Sequence, residues 1–138
     1  MNKRILVVED NPLNLELVTD LLEAAGSIVC PARSAEEGLR AARELSPDLI
    51  LMDLSLPGLD GLAAMRALRA DPATQHLTIV ALTSHAMKGD EALALRAGCD
   101  GYLTKPIDTR TFAAKVAAFI AAADSRLTEP QPAPQYAN

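Results

Sequence analysis

The chain has 138 residues, 49% of them hydrophobic, which is enough apolar material for one domain with one core. Aromatics are only 3% and Trp is absent, so that core must be built from Leu, Ile, Val and Ala. A net charge of −5 argues against non-specific binding to nucleic acid or to an anionic membrane, and two cysteines, Cys30 and Cys99, provide neither a disulfide scaffold nor a metal-ligand spacing.

The first apolar run, Ile5–Val8, ends in two acids, Glu9 and Asp10. It is far too short for a signal segment or a membrane span, so a cytoplasmic location is expected. Asn11-Pro12 reads as a helix start, with Asn at the N-cap and Pro at the first helical position. Leu13, Leu17, Val18, Leu21 and Leu22 form a helical apolar stripe, and Gly26 ends it. Ser27–Pro31 is a short, weak strand. Ser34-Ala-Glu-Glu37 is a capping box opening a helix to about Leu45.

Ser46-Pro47 leads into Asp48-Leu-Ile-Leu-Met-Asp53, an apolar run of the kind found in strands buried on both faces of a sheet. Asp53 falls where that strand leaves the sheet, a position where an aspartate also serves as a turn cap. After the Pro57-Gly58 turn a helix covers about Gly61–Ala70. Leu77–Leu82 is the next buried strand and ends at Thr83 and Ser84. A helix interrupted by Gly89 runs to about Ala97. Gly101–Thr104 is the last strand, terminated by Lys105-Pro106. Asp108 or Thr109 opens an Ala-rich helix to about Ala123. The expected organisation is a domain over residues 1–123 and a Pro-rich, disordered tail over 124–138.

Apolar strands alternating five times with amphipathic helices predict an α/β fold with a parallel sheet covered on both faces. With right-handed crossovers and one reversal, the expected arrangement is flavodoxin-like, a doubly wound (βα)5 sheet in the order 2-1-3-4-5. Its ligand crevice lies at the carboxyl ends of strands 1 and 3. That edge collects Glu9, Asp10, Asp53, Thr83 and Lys105. Carboxylates so placed repel one another unless a cation is bound, and their hard oxygens suit Mg2+ or Mn2+ with waters retained. With the Lys105 ammonium and the Thr83 hydroxyl added, the set describes a phosphoryl site in which Asp53 attacks phosphorus.

The runs Ile-Leu-Val-Val-Glu9-Asp10-Asn, Asp48-Leu-Ile-Leu-Met-Asp53-Leu-Ser-Leu-Pro-Gly-Leu-Asp-Gly61, Ile79-Val-Ala-Leu-Thr83 and Gly101-Tyr-Leu-Thr-Lys105-Pro106 together resemble the response-regulator receiver domain of two-component signalling, in the CheY-like superfamily. The resemblance spans about Lys3 to Ile120. It implies Asp53 as phosphoacceptor, Glu9 and Asp10 as metal ligands with Asp10 the closer, and the backbone carbonyl of Ser55 as a further metal contact. It also implies Thr83 as switch hydroxyl, Lys105 as the conserved-type lysine, a cis Lys105–Pro106 bond and Tyr102 as switch aromatic; a half-buried structural tyrosine is the plainer reading of Tyr102. Ser55 and His85 occupy the positions that tune attack of water on the acyl phosphate. Ser84 replaces the usual Ala or Gly and either narrows access to Asp53 or offers an extra hydrogen bond. The runs Glu9–Asn14 and Thr83–Glu91 are most similar to single-domain cell-division regulators of the DivK type.

The function implied is a phosphorylation-activated switch of a two-component or phosphorelay system. Its donor would be a histidine kinase or histidine phosphotransfer protein, and its output a downstream protein bound through the helix 4–strand 5–helix 5 face, with no nucleic acid or membrane partner. Two alternatives use the same residues: a receiver module cut from a hybrid histidine kinase, and a phosphorylation-independent pseudo-receiver. A turnover enzyme, such as a phosphatase with an aspartyl-phosphate intermediate, is disfavoured. By resemblance those enzymes carry a second acid two residues after the nucleophile, where this chain has Ser55.

Overall fold

The computed structural model describes residues 3–54, 61–83 and 88–128, with the side chains of 88–91 and 125–128 excepted. The elements follow as β1 (Arg4–Val8), α1 (Pro12–Ala24), β2 (Ile28–Ala32), α2 (Ala35–Leu45), β3 (Leu49–Asp53), α3 (Gly61–Ala70), β4 (Ile79–Thr83), α4 (Lys88–Ala97), β5 (Gly101–Thr104) and α5 (Phe112–Thr128). All strands are parallel, in the order β2-β1-β3-β4-β5. The chain therefore reverses its winding between β1 and β3, as the alternation of strands and helices predicts.

Burial explains the central strands. Every residue of β3 and of β4 is buried, which is why both read as unbroken apolar runs. Ile5, Val7, Leu49, Leu51 and Val80 face α1 and α5, where they meet Leu15, Val18, Leu22, Phe112, Val116 and Ile120. Leu6, Val8, Ile50, Met52, Ile79 and Ala81 face the opposite layer of α2, α3 and α4. β2 is an edge strand with half-exposed residues, and Pro31 within it suits an edge because it has no N–H to donate.

The helix ends show why the chain turns where it does. The Asn11 side chain accepts from the N–H groups of Leu13 and Asn14 at 2.9 and 3.2 Å, with Pro12 at the start of α1. At the other end Gly26, at φ +95°, donates to Glu23 O, and Ser27 N donates to Leu22 O, a Schellman closure that needs the left-handed residue. Ser34 Oγ accepts from Glu37 N at 3.1 Å, but the Glu37 carboxylate returns to Arg33 N, one residue earlier than a capping box requires.

Two boundaries differ from the sequence expectation. Gly89 lies inside α4 rather than interrupting it. α5 begins at Phe112, because Asp108 spends its carboxylate on Arg110 N and its carbonyl on Thr111 N and Phe112 N, making a turn before the helix. The helix continues to Thr128, past the expected boundary at 123/124. Asp124 is bound back into the domain by Lys3, at 3.0 Å. The tail from residue 129 lies outside the described residues.

Candidate functional site

Strand register places the site. Val8 pairs with Met52, Met52 with Ala81 and Ala81 with Tyr102, so the carboxyl ends of β1, β3, β4 and β5 finish at nearly one level. Asp53 is the last residue of β3, and Glu9 follows the last residue of β1. By the two-residue alternation of a strand, Glu9, Asp53 and Lys105 share the parity of Val7, Leu51 and Leu103, toward α1 and α5. Thr83 and Tyr102 have the other parity, toward α2, α3 and α4, and Tyr102 packs against that layer. The crest of the sheet thus carries Glu9, Asp53 and Lys105 on one side and Thr83 and Tyr102 on the other.

Glu9 is 1% exposed and Asp53 2% exposed, whereas Asp10 is open to solvent. One carboxylate oxygen from each of the three lies within 4.8 Å of the others. Lys105 Nζ donates to Glu9 Oε1 at 3.0 Å and to Asp53 Oδ2 at 3.2 Å. Asn11 N donates to the second oxygen of Glu9 at 3.3 Å, so the residue that caps α1 also orients this acid. Burial, joined by a hydrogen bond shared with Asp53, pushes the Glu9 carboxyl up to about 7, against the pull of Lys105. Burial also disfavours the Lys105 ammonium, but Glu9 and Asp53 outweigh it and raise its pKa.

The backbone fixes these groups. Leu54 N donates to Leu82 O at 2.9 Å and Lys105 N to Thr83 O at 2.7 Å, continuing the ladders past the strand ends. The Lys105–Pro106 peptide bond is cis. Gly61, the first residue of α3, lies against the back of Asp53: an added Cβ would stand 2.5 Å from the Asp53 carbonyl oxygen and 2.7 Å from Leu54 Cα. Thr83 is 3% exposed at the end of β4. Ser55, Ser84 and His85 lie outside the described residues.

Sequence reading passed over Arg69. Its guanidinium donates to Gly98 O, Gln75 O, Leu77 O and Asp100 Oδ2, all at 2.6–2.8 Å, and Asp100 Oδ2 also accepts from Ile79 N. This clamp joins the end of α3 to the start of β4 and to the α4–β5 turn, at the end of the sheet away from the acids.

The family model described as the response regulator receiver domain matches residues 5–117. The polar-differentiation response regulator DivK of Brucella ovis is 42% identical over 120 residues, covering 87% of this chain and 98% of its own. Among solved structures, the receiver domain of a sensor histidine kinase from Pseudomonas aeruginosa, with a magnesium ion coordinated in its active-site cleft, superposes with a TM-score of 0.80 at 35% identity, covering 88% of this chain and 99% of that one. A LuxR-family two-component response regulator from Aurantimonas gives 0.81 at 33% identity, with 88% and 87% covered.

Proposed function

The chain belongs to the response regulator receiver domain family, and from that premise we propose that Asp53 accepts a phosphoryl group from the phosphohistidine of a histidine kinase or phosphotransfer protein and that the modified domain signals through protein–protein contacts. The observation that carries this reading is the placement of Asp53, a buried carboxylate at a strand end with Lys105 at 3.2 Å and two further acids beside it.

The donor set fits a hard divalent cation. Three carboxylates converge, two of them buried beside a single ammonium and one exposed enough to leave room for coordinated water. Asp10, Asp53 and Glu9 would hold Mg2+ or Mn2+, with the Ser55 backbone carbonyl as a further ligand. The ion, when bound, supplies positive charge beside the transferring phosphoryl oxygens. Asp53 supplies the attacking oxygen: its bond to phosphorus forms as the phosphorus–nitrogen bond to the donor histidine breaks, and the imidazole leaves with the electron pair. Lys105, already within hydrogen-bonding distance of Asp53, neutralises oxygen charge on the product.

The phosphoryl group adds up to two negative charges and strong acceptors at the crest of the sheet. Thr83 and Lys105 are drawn to them, Tyr102 repacks on the α4 side, and the α4–β5–α5 face becomes the recognition surface. Leu93 and Leu95, 43% and 52% exposed, flank the buried Ala94 on the two sides of α4. Moving the equilibrium from 1:99 to 99:1 requires about 5.5 kcal/mol of preference for the active form, within reach of a few charge-assisted hydrogen bonds. Ser55, as a non-acid two residues after Asp53, supports a switch over a turnover phosphatase. Ser55, Ser84 and His85 would set how long the phosphoryl group lasts.

The reading is tested by incubating a phosphorylated histidine kinase with the wild-type protein and with Asp53→Asn. Transfer to the wild type and none to the variant is the expected result; equal transfer to both contradicts it.

A further inference from the structure

Asn11 belongs to two systems at once, the first turn of α1 and the acids at the carboxyl edge of the sheet. Its side chain accepts from Leu13 N at 2.9 Å and from Asn14 N at 3.2 Å, and its carbonyl accepts from Leu15 N at 2.9 Å. Pro12 follows, which disfavours helical backbone at residue 11, and Asn11 is extended at φ −81° and ψ 116°. Three accepted bonds and a following proline leave this residue little freedom. Its own N–H precedes the helix and has no place in the helical ladder. It turns back instead and donates to Glu9 Oε2 at 3.3 Å.

The other oxygen of Glu9 is held from far away in the chain. Lys105 Nζ donates to Glu9 Oε1 at 3.0 Å, and the Glu9 backbone is fixed by its N–H on Ala32 O at 2.9 Å. Glu9 is 1% exposed, so water does little to orient its carboxylate. Lys105 reaches it on a flexible stem, and a bound cation competes with that ammonium. The Asn11 N–H is main chain. No side-chain rotation withdraws it, and its direction is set by the cap of α1. Asp10 lies between the two pinned residues, so the same turn restrains its backbone.

We propose that Asn11 is a positioning residue for the divalent cation: by capping α1 it aims its own N–H at Glu9, and the aimed carboxylate binds the ion more tightly than a free one would. Asn11 acts through Glu9 and not as a ligand. The gain is preorganisation. A carboxylate already fixed within 4.8 Å of the oxygens of Asp10 and Asp53 has less motion to lose when the ion arrives. By linkage, the ion in turn steadies the first turn of α1, since both favour the same arrangement of residues 9–11. This inference rests on the reading of the three acids as the cation site.

The test measures Mg2+ affinity of the full chain by isothermal calorimetry, beside the urea midpoint of the metal-free protein. Asn11→Ala removes the cap acceptor and should weaken Mg2+ binding roughly fivefold, the factor that a lost N-cap commonly carries in an equilibrium. Asn11→Ser restores an acceptor for the same N–H groups and should bind within about twofold of the wild type. Gly26→Ala loosens the opposite end of α1: a φ of +95° strains any side chain, although the added Cβ would meet nothing beyond its neighbours in the chain. It should lower the urea midpoint about as far as Asn11→Ala does, with Mg2+ affinity at the wild-type value. Wild-type affinity in Asn11→Ala overturns the proposal. So does an equal loss in Asn11→Ser or in Gly26→Ala, because the effect then does not run through the cap and Glu9. A wild-type protein that binds no Mg2+ overturns the cation site itself, and this inference with it.

Discussion

Lys105 Nζ bridges two buried carboxylates, Glu9 at 3.0 Å and Asp53 at 3.2 Å, although the lysine and Glu9 stand 96 residues apart in the chain. The relationship makes Lys105 the counter-charge of the metal-free site, and the proposed function gives it a second role as partner of an incoming phosphoryl group. Lys105→Ala is therefore expected to uncouple the two roles. The variant should still take up phosphoryl label on Asp53, but the change in Tyr102 fluorescence that accompanies phosphorylation should be lost. With the competing ammonium gone, Mg2+ should bind severalfold more tightly by calorimetry. A wild-type fluorescence response in Lys105→Ala would show that the lysine does not transmit the change.

The Glu9 carboxyl gives a pH dependence with a definite sign. Burial and the bond shared with Asp53 raise it from 4.5 to about 7, so the fold favours its protonated form. Its contribution to stability is complete below the ordinary carboxyl value and is lost as pH rises through about 7. The melting temperature of the metal-free protein should fall between pH 5 and 8, and Glu9→Gln should flatten the curve. Mg2+ competes with that proton and should raise the melting temperature more at pH 8 than at pH 6. A metal-free melting temperature that climbs over this range in the wild type alone would contradict the assignment.

Gly61 is required by close approach to backbone rather than by an unusual φ. The Cβ of Gly61→Ala would meet the Asp53 carbonyl and Leu54 Cα, neither of which can turn aside. The expected cost is about 1–3 kcal/mol in urea denaturation, with slower acetyl-phosphate labelling because Asp53 shifts. Gly38→Ala is the comparison: its Cβ would meet the Val8 side chain rather than the backbone that carries Asp53, and labelling should change less.

Arg69→Gln removes the charged donor that serves three carbonyls and Asp100. The loss should be roughly 2 kcal/mol of stability, read from the urea midpoint at unchanged slope. Labelling of Asp53 should persist, because the clamp lies at the other end of the sheet.

What the sequence disclosed follows from locality. β3 and β4 are buried on both faces, so their apolar runs are unambiguous, and each ends on a polar residue at the carboxyl edge of the sheet, Asp53 or Thr83. Asn11-Pro12 and Gly26 declare the ends of α1 because caps are local chemistry. The unequal burial of Glu9 and Asp10 was not legible, since adjacent acids are separated only by the alternation of the chain past Val8 and by Lys105 arriving from β5. Arg69 was invisible for the same reason: it sits in an ordinary helical pattern and its partners come from two later segments, the stretch before β4 and the α4–β5 turn. The start of α5 was misplaced because Asp108 builds a turn with the same residue type that caps a helix.

The central claim is that Asp53 carries the phosphoryl group, and site-resolved labelling tests it most directly. Wild-type protein and Asp53→Asn are incubated with acetyl phosphate and Mg2+, trapped at the acyl phosphate by borohydride reduction, and mapped by peptide mass spectrometry. The account predicts modification at Asp53 in the wild type, dependent on Mg2+, and none in the variant. Label on another residue, or uptake by Asp53→Asn equal to the wild type, would contradict it.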